Sequence, residues 1–201
     1  MSSDIKIKRL TSTEDPQFRR ALAIYKQGFE PLERLEDERL KVLVNKGFYQ
    51  IWLALDEDDT VLGMGIMVKA KGDPFAWLEF MAVDEDLRSR GIGSRLMEFF
   101  IDQAEDREGL LLEVQIPHQA KDPEERHIRN RRIAFYQRHG LLLLDHIPYQ
   151  MKTAEGGVSM YLMHRPQSGF SPLTGKTLED TVRFSIKKRR EGYGEHKEHM
   201  A

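Results

Sequence analysis

The segment Asp84-Glu85-Asp86-Leu87-Arg88-Ser89-Arg90-Gly91-Ile92-Gly93-Ser94-Arg95-Leu96 joins an apolar strand to an amphipathic helix. It constrains the chain more than any other stretch. A helix built only for stability carries Asp or Glu in its first turn, because that end is partially positive. Here the acidic residues stop at Asp86, and Arg88, Arg90 and Arg95 crowd the helix entry. Uncompensated cations there cost about 0.3–1 kcal/mol each. Gly91 and Gly93 remove side chains, so backbone N–H groups can closely approach a ligand. Arginines, bare backbone and a helix N-terminus together describe an anion site suited to a phosphate or pyrophosphate. Short glycine motifs also occur in plain turns with solvated arginines, which is the structural alternative. No G-x-x-x-x-G-K-[ST] run exists, and the third glycine of a dinucleotide fingerprint is replaced by Leu96. Glu113 stands about 20 residues on, where such a fold places its ribose carboxylate. A dinucleotide-binding oxidoreductase therefore stays as an alternative, weakened by the lack of repeated βαβ units.

The remaining pattern predicts one mixed α/β unit with the order β-α-α-β-β-β-α-β-α-β-β. Strands are expected near 5–10, 48–55, 61–68, 76–83, 110–116, 141–144 and 158–163. Their alternation and apolar runs carry that reading. Helices are expected from Asp15-Pro16, from Pro31 to Gly47, over 91–106 and over 127–139, with a polar loop at 118–126. A short amphipathic helix near 177–190 follows the change of character after Pro166, and the last residues are polar. Thirty-one Lys and Arg against 33 Asp and Glu argue against a dedicated nucleic-acid binder. Zero cysteines exclude disulfides, thiolate zinc sites and an acyl-cysteine route. The N-terminus has no apolar signal region and no stretch is long enough for a membrane span. The expectation is a soluble cytoplasmic protein with no metal and no membrane partner.

Arg88-Ser89-Arg90-Gly91-Ile92-Gly93 resembles the R/Q-x-x-G-x-G/A signature of the GNAT superfamily of acyl-CoA N-acyltransferases. Asn130-Arg131-Arg132-Ile133-Ala134-Phe135-Tyr136-Gln137-Arg138-His139-Gly140 resembles that family's fourth-helix motif, with a tyrosine before a helix-ending glycine. The element order also matches over roughly residues 5–165. The resemblance implies a mostly antiparallel twisted sheet of about seven strands flanked by helices. It implies an acetyltransferase domain over 1–166 and a C-terminal extension over 167–201. It implies acetyl-CoA as acyl donor and a small-molecule or peptide amine as acceptor, and it is compatible with a homodimer. Residue by residue, the amides of Arg88, Ser89, Arg90, Gly91, Ile92, Gly93 and Ser94 would hold the pyrophosphate. Met81, Ala82 and Val83 would pair with the pantetheine arm, Asn130 would contact that arm or its neighbouring backbone, and Tyr136 would stand near the sulfur as proton donor.

Amide formation needs a neutral amine, and a lysine-like amine is neutral only about once in 2,500 molecules at pH 7. That handicap of about 4–5 kcal/mol calls for a base or a water chain. Glu79 and Glu113 are the base candidates, each interrupting an apolar strand. The alternative for each is a solvent-facing carboxylate or one paired with an arginine. Glu79 shares strand parity with Met81 and Val83, and Glu113 resembles the fifth-strand base of some family members. Glu30 and Glu33, in the bend after the first helix, and Tyr149 border the acceptor cleft by the same resemblance, where acidic groups would favour a cationic amine. A catalytically idle acyl-CoA sensor is the non-enzymatic alternative. His196 and His199 lack a convincing third ligand. The run Lys187-Lys188-Arg189-Arg190 reads as a solvated helix end, and Phe99, Phe100, Trp77 and Met81 read as core.

Overall fold

The computed structural model describes residues 5–153 and 156–195. Seven strands form one sheet: β1 Lys6–Leu10, β2 Gln50–Leu55, β3 Val61–Val68, β4 Phe75–Val83, β5 Gly109–Gln115, β6 Leu142–Thr153 and β7 Gly156–Pro166. Their spatial order is β1-β2-β3-β4-β5-β7-β6, and every pairing is antiparallel except β4 with β5. The helices are α1 Gln17–Gly28, α2 Asp37–Asn45, α3 Ile92–Gln103, α4 Pro123–Arg138 and α5 Gly175–Glu195. The mixed sheet with flanking helices is the architecture the sequence predicts.

The helices divide between the two sheet faces. Phe18, Ile24 and Tyr25 of α1, Leu40 and Leu43 of α2 and Leu178 and Val182 of α5 pack with Ile51, Leu53, Ile66, Phe75, Trp77 and Leu111. Ile92, Leu96 and Phe100 of α3 and Ile133 and Tyr136 of α4 pack with Met67, Ala76, Leu78, Leu110 and Leu112 on the other. Strand alternation sends successive residues to opposite faces, so both faces are apolar and both need cover.

Two features of β4 position the site. Its pairing with β5 runs only from Phe75↔Gly109 to Leu78↔Leu112. Beyond that point β4 continues along β3 and β5 along β7, so the two parallel strands part and leave a wedge. In addition, the register with β3 shifts: Met67 faces Leu78 while Ile66 faces Phe80, which makes Glu79 the extra residue of a β-bulge. The bulge overturns the expected parity of Glu79 with Met81 and Val83. Met81 and Val83 pack with the α3 and α4 face, whereas Glu79 bonds to α5 on the opposite face.

Three other expectations shift. Residues 123–126 are helical rather than loop, because Pro123 occupies the first turn and Asp122 caps it, accepting from the Glu125 amide at 2.8 Å. β6 extends well past Leu144. A register shift between Leu144 and Tyr149 accommodates Pro148 and breaks the alternation there. The C-terminal helix spans 21 residues rather than a short stretch, and its Leu178 and Val182 join the core. His196 and His199 lie outside the described residues. No helix among the described residues is long and apolar enough to cross a membrane.

Candidate active site

The 88–94 segment lies open at the start of α3. Asp84 ends β4's run into a short 3₁₀ turn over Glu85–Leu87, accepting from the Asp86 amide at 3.2 Å and pairing with Arg20. The chain then turns through Ser89 at φ 66° and Gly91 at φ 83°. Positive φ is costly for residues with a Cβ, so Gly91 is required by its backbone. Gly93 is different: a Cβ there would sit 3.7 Å from the Phe135 ring and Val83, which is ordinary contact. The protein itself therefore has room for a side chain at 93. Arg88, Ser89, Arg90, Gly91 and Arg95 are exposed, α3 has no side-chain cap, and its first turn holds no acid. By helix geometry the amides of its first turn lack intrahelical acceptors. These residues fit a pyrophosphate.

The wedge lies beside this loop. Met81, Ala82 and Val83 pair with Gly65, Met64 and Gly63 of β3 and have no β5 partner on their other edge. Tyr136 of α4 is 8 % exposed, and its ring packs against Phe135 at 5.3 Å between centroids. Burial pushes its phenol above the ordinary range, against the opposing charge of Arg132. Among the described residues its hydroxyl has no hydrogen-bond partner. Asn130 stands on the exposed side of α4.

The first residues past the branch point are Glu79 and Glu113, and one guanidinium joins them. Arg189 of α5 donates through Nε to Glu79 Oε1 at 2.5 Å and through Nη2 to Glu79 Oε2 at 2.6 Å. Its Nη1 donates to Glu113 Oε1 at 2.5 Å and to the Tyr149 hydroxyl at 2.9 Å. Tyr149 donates to the same Glu113 oxygen at 2.6 Å, and Tyr193 donates to Glu79 Oε2 at 2.9 Å. Tyr49 bonds to the Tyr193 hydroxyl, and Arg189 lies 4.4 Å above the Trp77 ring. Burial works against charge on Arg189, but Glu113 and Glu79 outweigh it and hold the guanidinium charged. Burial also raises the phenols of Tyr149, Tyr193 and Tyr49. Both strand carboxylates are thus arginine-paired, one of the readings their sequence allowed.

Arg189 itself escaped the sequence reading. It belongs to the basic run expected to be a solvated helix end, yet it is 9 % exposed. The missed signal is the stripe Leu178, Val182, Ser185 and Arg189, whose spacing puts all four on one helix face. All four are buried. Glu33, before α2, accepts from Gln115 Nε2 at 2.7 Å, and Gln115 in turn accepts from Arg132 at 3.1 Å. Burial raises the Glu33 carboxyl despite these partners. Glu33 and Tyr149 are therefore both tied to β5, while Glu30 is exposed.

Residues 47–140 match the family model of the acetyltransferase (GNAT) domain. This part of the chain, just under half of it, is similar to the GNAT acetyltransferase domain. The chain's fold is shared by a GNAT-family protein from Bacteroides thetaiotaomicron, 24% identical, with a TM-score of 0.73 over 94% of this chain and 99% of that one. It is also shared by the ribosomal-protein-S18-alanine N-acetyltransferase of Escherichia coli, 20% identical, with a TM-score of 0.56 over 86% and 99%. A Bacillus subtilis acetyltransferase in complex with CoA is 13% identical, with a TM-score of 0.54 over 81% and 99%. No curated protein sequence matches the chain. GNAT enzymes are acetyltransferases that take acetyl-CoA as donor and, in general, an amine as acceptor. Glu79, Glu113 and Tyr136 fall inside the matched GNAT region, and Arg189 falls beyond it.

Proposed function

We propose that this GNAT enzyme transfers an acetyl group from acetyl-CoA directly to a cationic primary amine, with Glu113 as the proton acceptor. The supporting observation is the unequal use of the two carboxylates. Both oxygens of Glu79 are taken, and its side chain is 2 % exposed. Glu113 engages only Oε1, its side chain is 12 % exposed, and Oε2 has no hydrogen-bond partner among the described residues.

In this reading the loop amides of Arg88 to Ser94 bind the donor's pyrophosphate, and the free edge of Met81 to Val83 binds its pantetheine arm. Asn130 flanks that arm from α4. The donor supplies an activated thioester carbonyl. The acceptor's ammonium gives a proton to Glu113 Oε2, the freed amine forms the C–N bond as the C–S bond breaks, and the second proton lost from nitrogen passes to the departing thiolate to give the CoA thiol. Tyr136, kept protonated by burial, faces the departing sulfur and donates a hydrogen bond to it. A thiolate with a reference pKa of about 8.5 leaves readily, so this donor assists rather than governs the step. Zero cysteines rule out an acyl-cysteine, which leaves direct transfer or a non-cysteine nucleophile; this reading takes the direct route. Glu33 and Tyr149 border the acceptor, with Glu30 at the outer rim. The unit that does this work is the 1–166 domain, and the 167–201 extension supplies α5.

Calorimetric titration with acetyl-CoA, with NADH as control, tests the donor assignment. Micromolar binding of acetyl-CoA alone is expected. A folded protein that binds NADH and not acetyl-CoA overturns it. Thiol release with a panel of amines then separates an enzyme from an idle sensor.

A further inference from the structure

The second carboxylate and the arginine over it have no part in that proton transfer. We propose that Arg189 is a positioning residue: by engaging both oxygens of Glu79 and one of Glu113, it leaves Glu113 Oε2 as the single carboxylate oxygen that meets the acceptor's ammonium. This inference rests on the acetyl-transfer reading and assigns a role to the helix beyond the matched domain.

Three observations carry it. The first is geometric. The guanidinium reaches Glu79 through Nε and Nη2 and Glu113 through Nη1, with all three contacts at 2.5–2.6 Å. A fork that satisfies one carboxylate in full and half of another fixes both rotamers. The second is charge. Two carboxylates and one guanidinium leave one net negative charge at the branch point of β4 and β5. Among the described residues no other cation pairs with Glu79 or Glu113. The other titratable groups facing the cluster are the phenols of Tyr149 on β6, Tyr193 on α5, Tyr49 before β2 and Tyr25 on α1, and burial holds all four above their ordinary range. The outstanding negative charge is therefore matched by a cation arriving with the substrate, which an acceptor ammonium supplies.

The third observation is anchoring. Ser185, one turn before Arg189, is fully buried. It accepts from Trp77 Nε1 at 2.8 Å and donates to Asp73 Oδ1 at 2.6 Å. Val182 is also fully buried. A helix held this way one and two turns upstream is a fixed roof over the acceptor face, not a plug that swings away. Lifting Arg189 would strand two buried anions, which is strongly unfavourable.

The test compares full-length wild type, Arg189→Lys and Arg189→Met. CoA release from acetyl-CoA is followed with putrescine, agmatine and 2-phenylethylamine from about pH 5.5 to about pH 9. Acetyl-CoA affinity is measured on each protein. The expected kcat losses are about 100-fold in Arg189→Met and about tenfold in Arg189→Lys, with acetyl-CoA Kd held within about twofold. In Arg189→Met the acid limb of kcat/KM rises by at least about one pH unit, because unpaired neighbouring carboxylates hold a proton. A merely structural arginine would lower Tm without moving that limb. A folded variant with the wild-type kcat and acid limb overturns the proposal. So does a variant faster than wild type, which would make α5 an inhibitory plug. If Arg189→Met does not fold, Arg189→Lys against wild type decides on the same two readouts. A wild type that binds acetyl-CoA but releases no CoA with any amine overturns the transfer reading and this proposal with it. A wild type that fails to bind acetyl-CoA overturns the donor reading of the 88–94 loop, and this proposal falls with it.

Discussion

The proposed donor loop draws all its groups from the consecutive residues Arg88 to Ser94, whereas the cluster around Arg189 takes Glu79 from β4, Glu113 from β5, Tyr149 from β6 and Arg189 and Tyr193 from α5. The loop is open to solvent, and its arginines project from the surface. The cluster is closed, and its guanidinium is buried against an indole ring. A loop that binds a polyanion works through backbone amides that local conformation sets. A site that must remove a proton from an ammonium works through a buried carboxylate, and burying charge requires partners from elsewhere in the chain. The two regions should therefore fail differently: loop variants in donor affinity, cluster variants in turnover and acid sensitivity.

The sharpest separation comes from Glu113→Gln. It removes the proton acceptor while keeping the shape of the side chain, and kcat is expected to fall by about 10²–10⁴-fold. Donor affinity by calorimetry should stay within about twofold, and a comparable loss of acetyl-CoA binding would erase the distinction between the regions. Tyr136→Phe is the next largest effect. One hydrogen bond to a charged sulfur is worth about 1.5–3 kcal/mol, so a kcat loss of about ten- to a hundredfold is expected. Turnover within about twofold of wild type would remove that residue from the mechanism.

Acid sensitivity offers a third contrast, at His164 of β7 on the buried side. Burial lowers its imidazole from 6.5 to about 4. The unfolded chain therefore binds the extra proton between those values, and stability present above about pH 6.5 is lost as pH falls toward 4. The loss should reach about 2 kcal/mol at pH 5, read as a steeper fall of wild-type denaturation free energy than in His164→Phe. Equal slopes in the two proteins would assign the acid loss to other groups.

The smallest effect is expected at Gly93→Ala. Its Cβ meets only ordinary contacts at 3.7 Å, so the fold should hold or gain a few tenths of a kcal/mol from reduced chain freedom. Acetyl-CoA binding should weaken by about tenfold, because the methyl group enters the space a ligand's approach requires. An alanine variant with the wild-type Kd would show that the loop binds its ligand elsewhere.

How far the sequence could be read follows the same division. The Arg88 to Ser94 turn was legible because strand, glycines, arginines and helix follow one another without interruption. The apolar run that follows the charged turn at 56–59 set the bounds of β3 at Val61 and Val68, as the structure has them. The start of α4 lies in a polar stretch that reads as loop, although proline fits the first helical turn when an aspartate caps it. The extent of β6 was missed because a bulge hides alternation from a period-two reading. Glu79 was visible as an interruption of an apolar strand, but its face depended on a bulge defined only by pairing with β3.

By itself the chain of residues determined the element order, the two apolar faces of the sheet and the glycine turn from Arg88 to Ser94, because each depends on neighbours within a few positions. Only the tertiary structure decided that β4 and β5 part at Leu78 and Leu112, that Glu79 and Glu113 share one guanidinium, and that a residue in a basic run is buried 110 positions away from its partner. Two carboxylates in apolar strands announce that cations are needed. They do not say which of the chain's 31 Lys and Arg will come, because that choice is made by the packing of a distant helix.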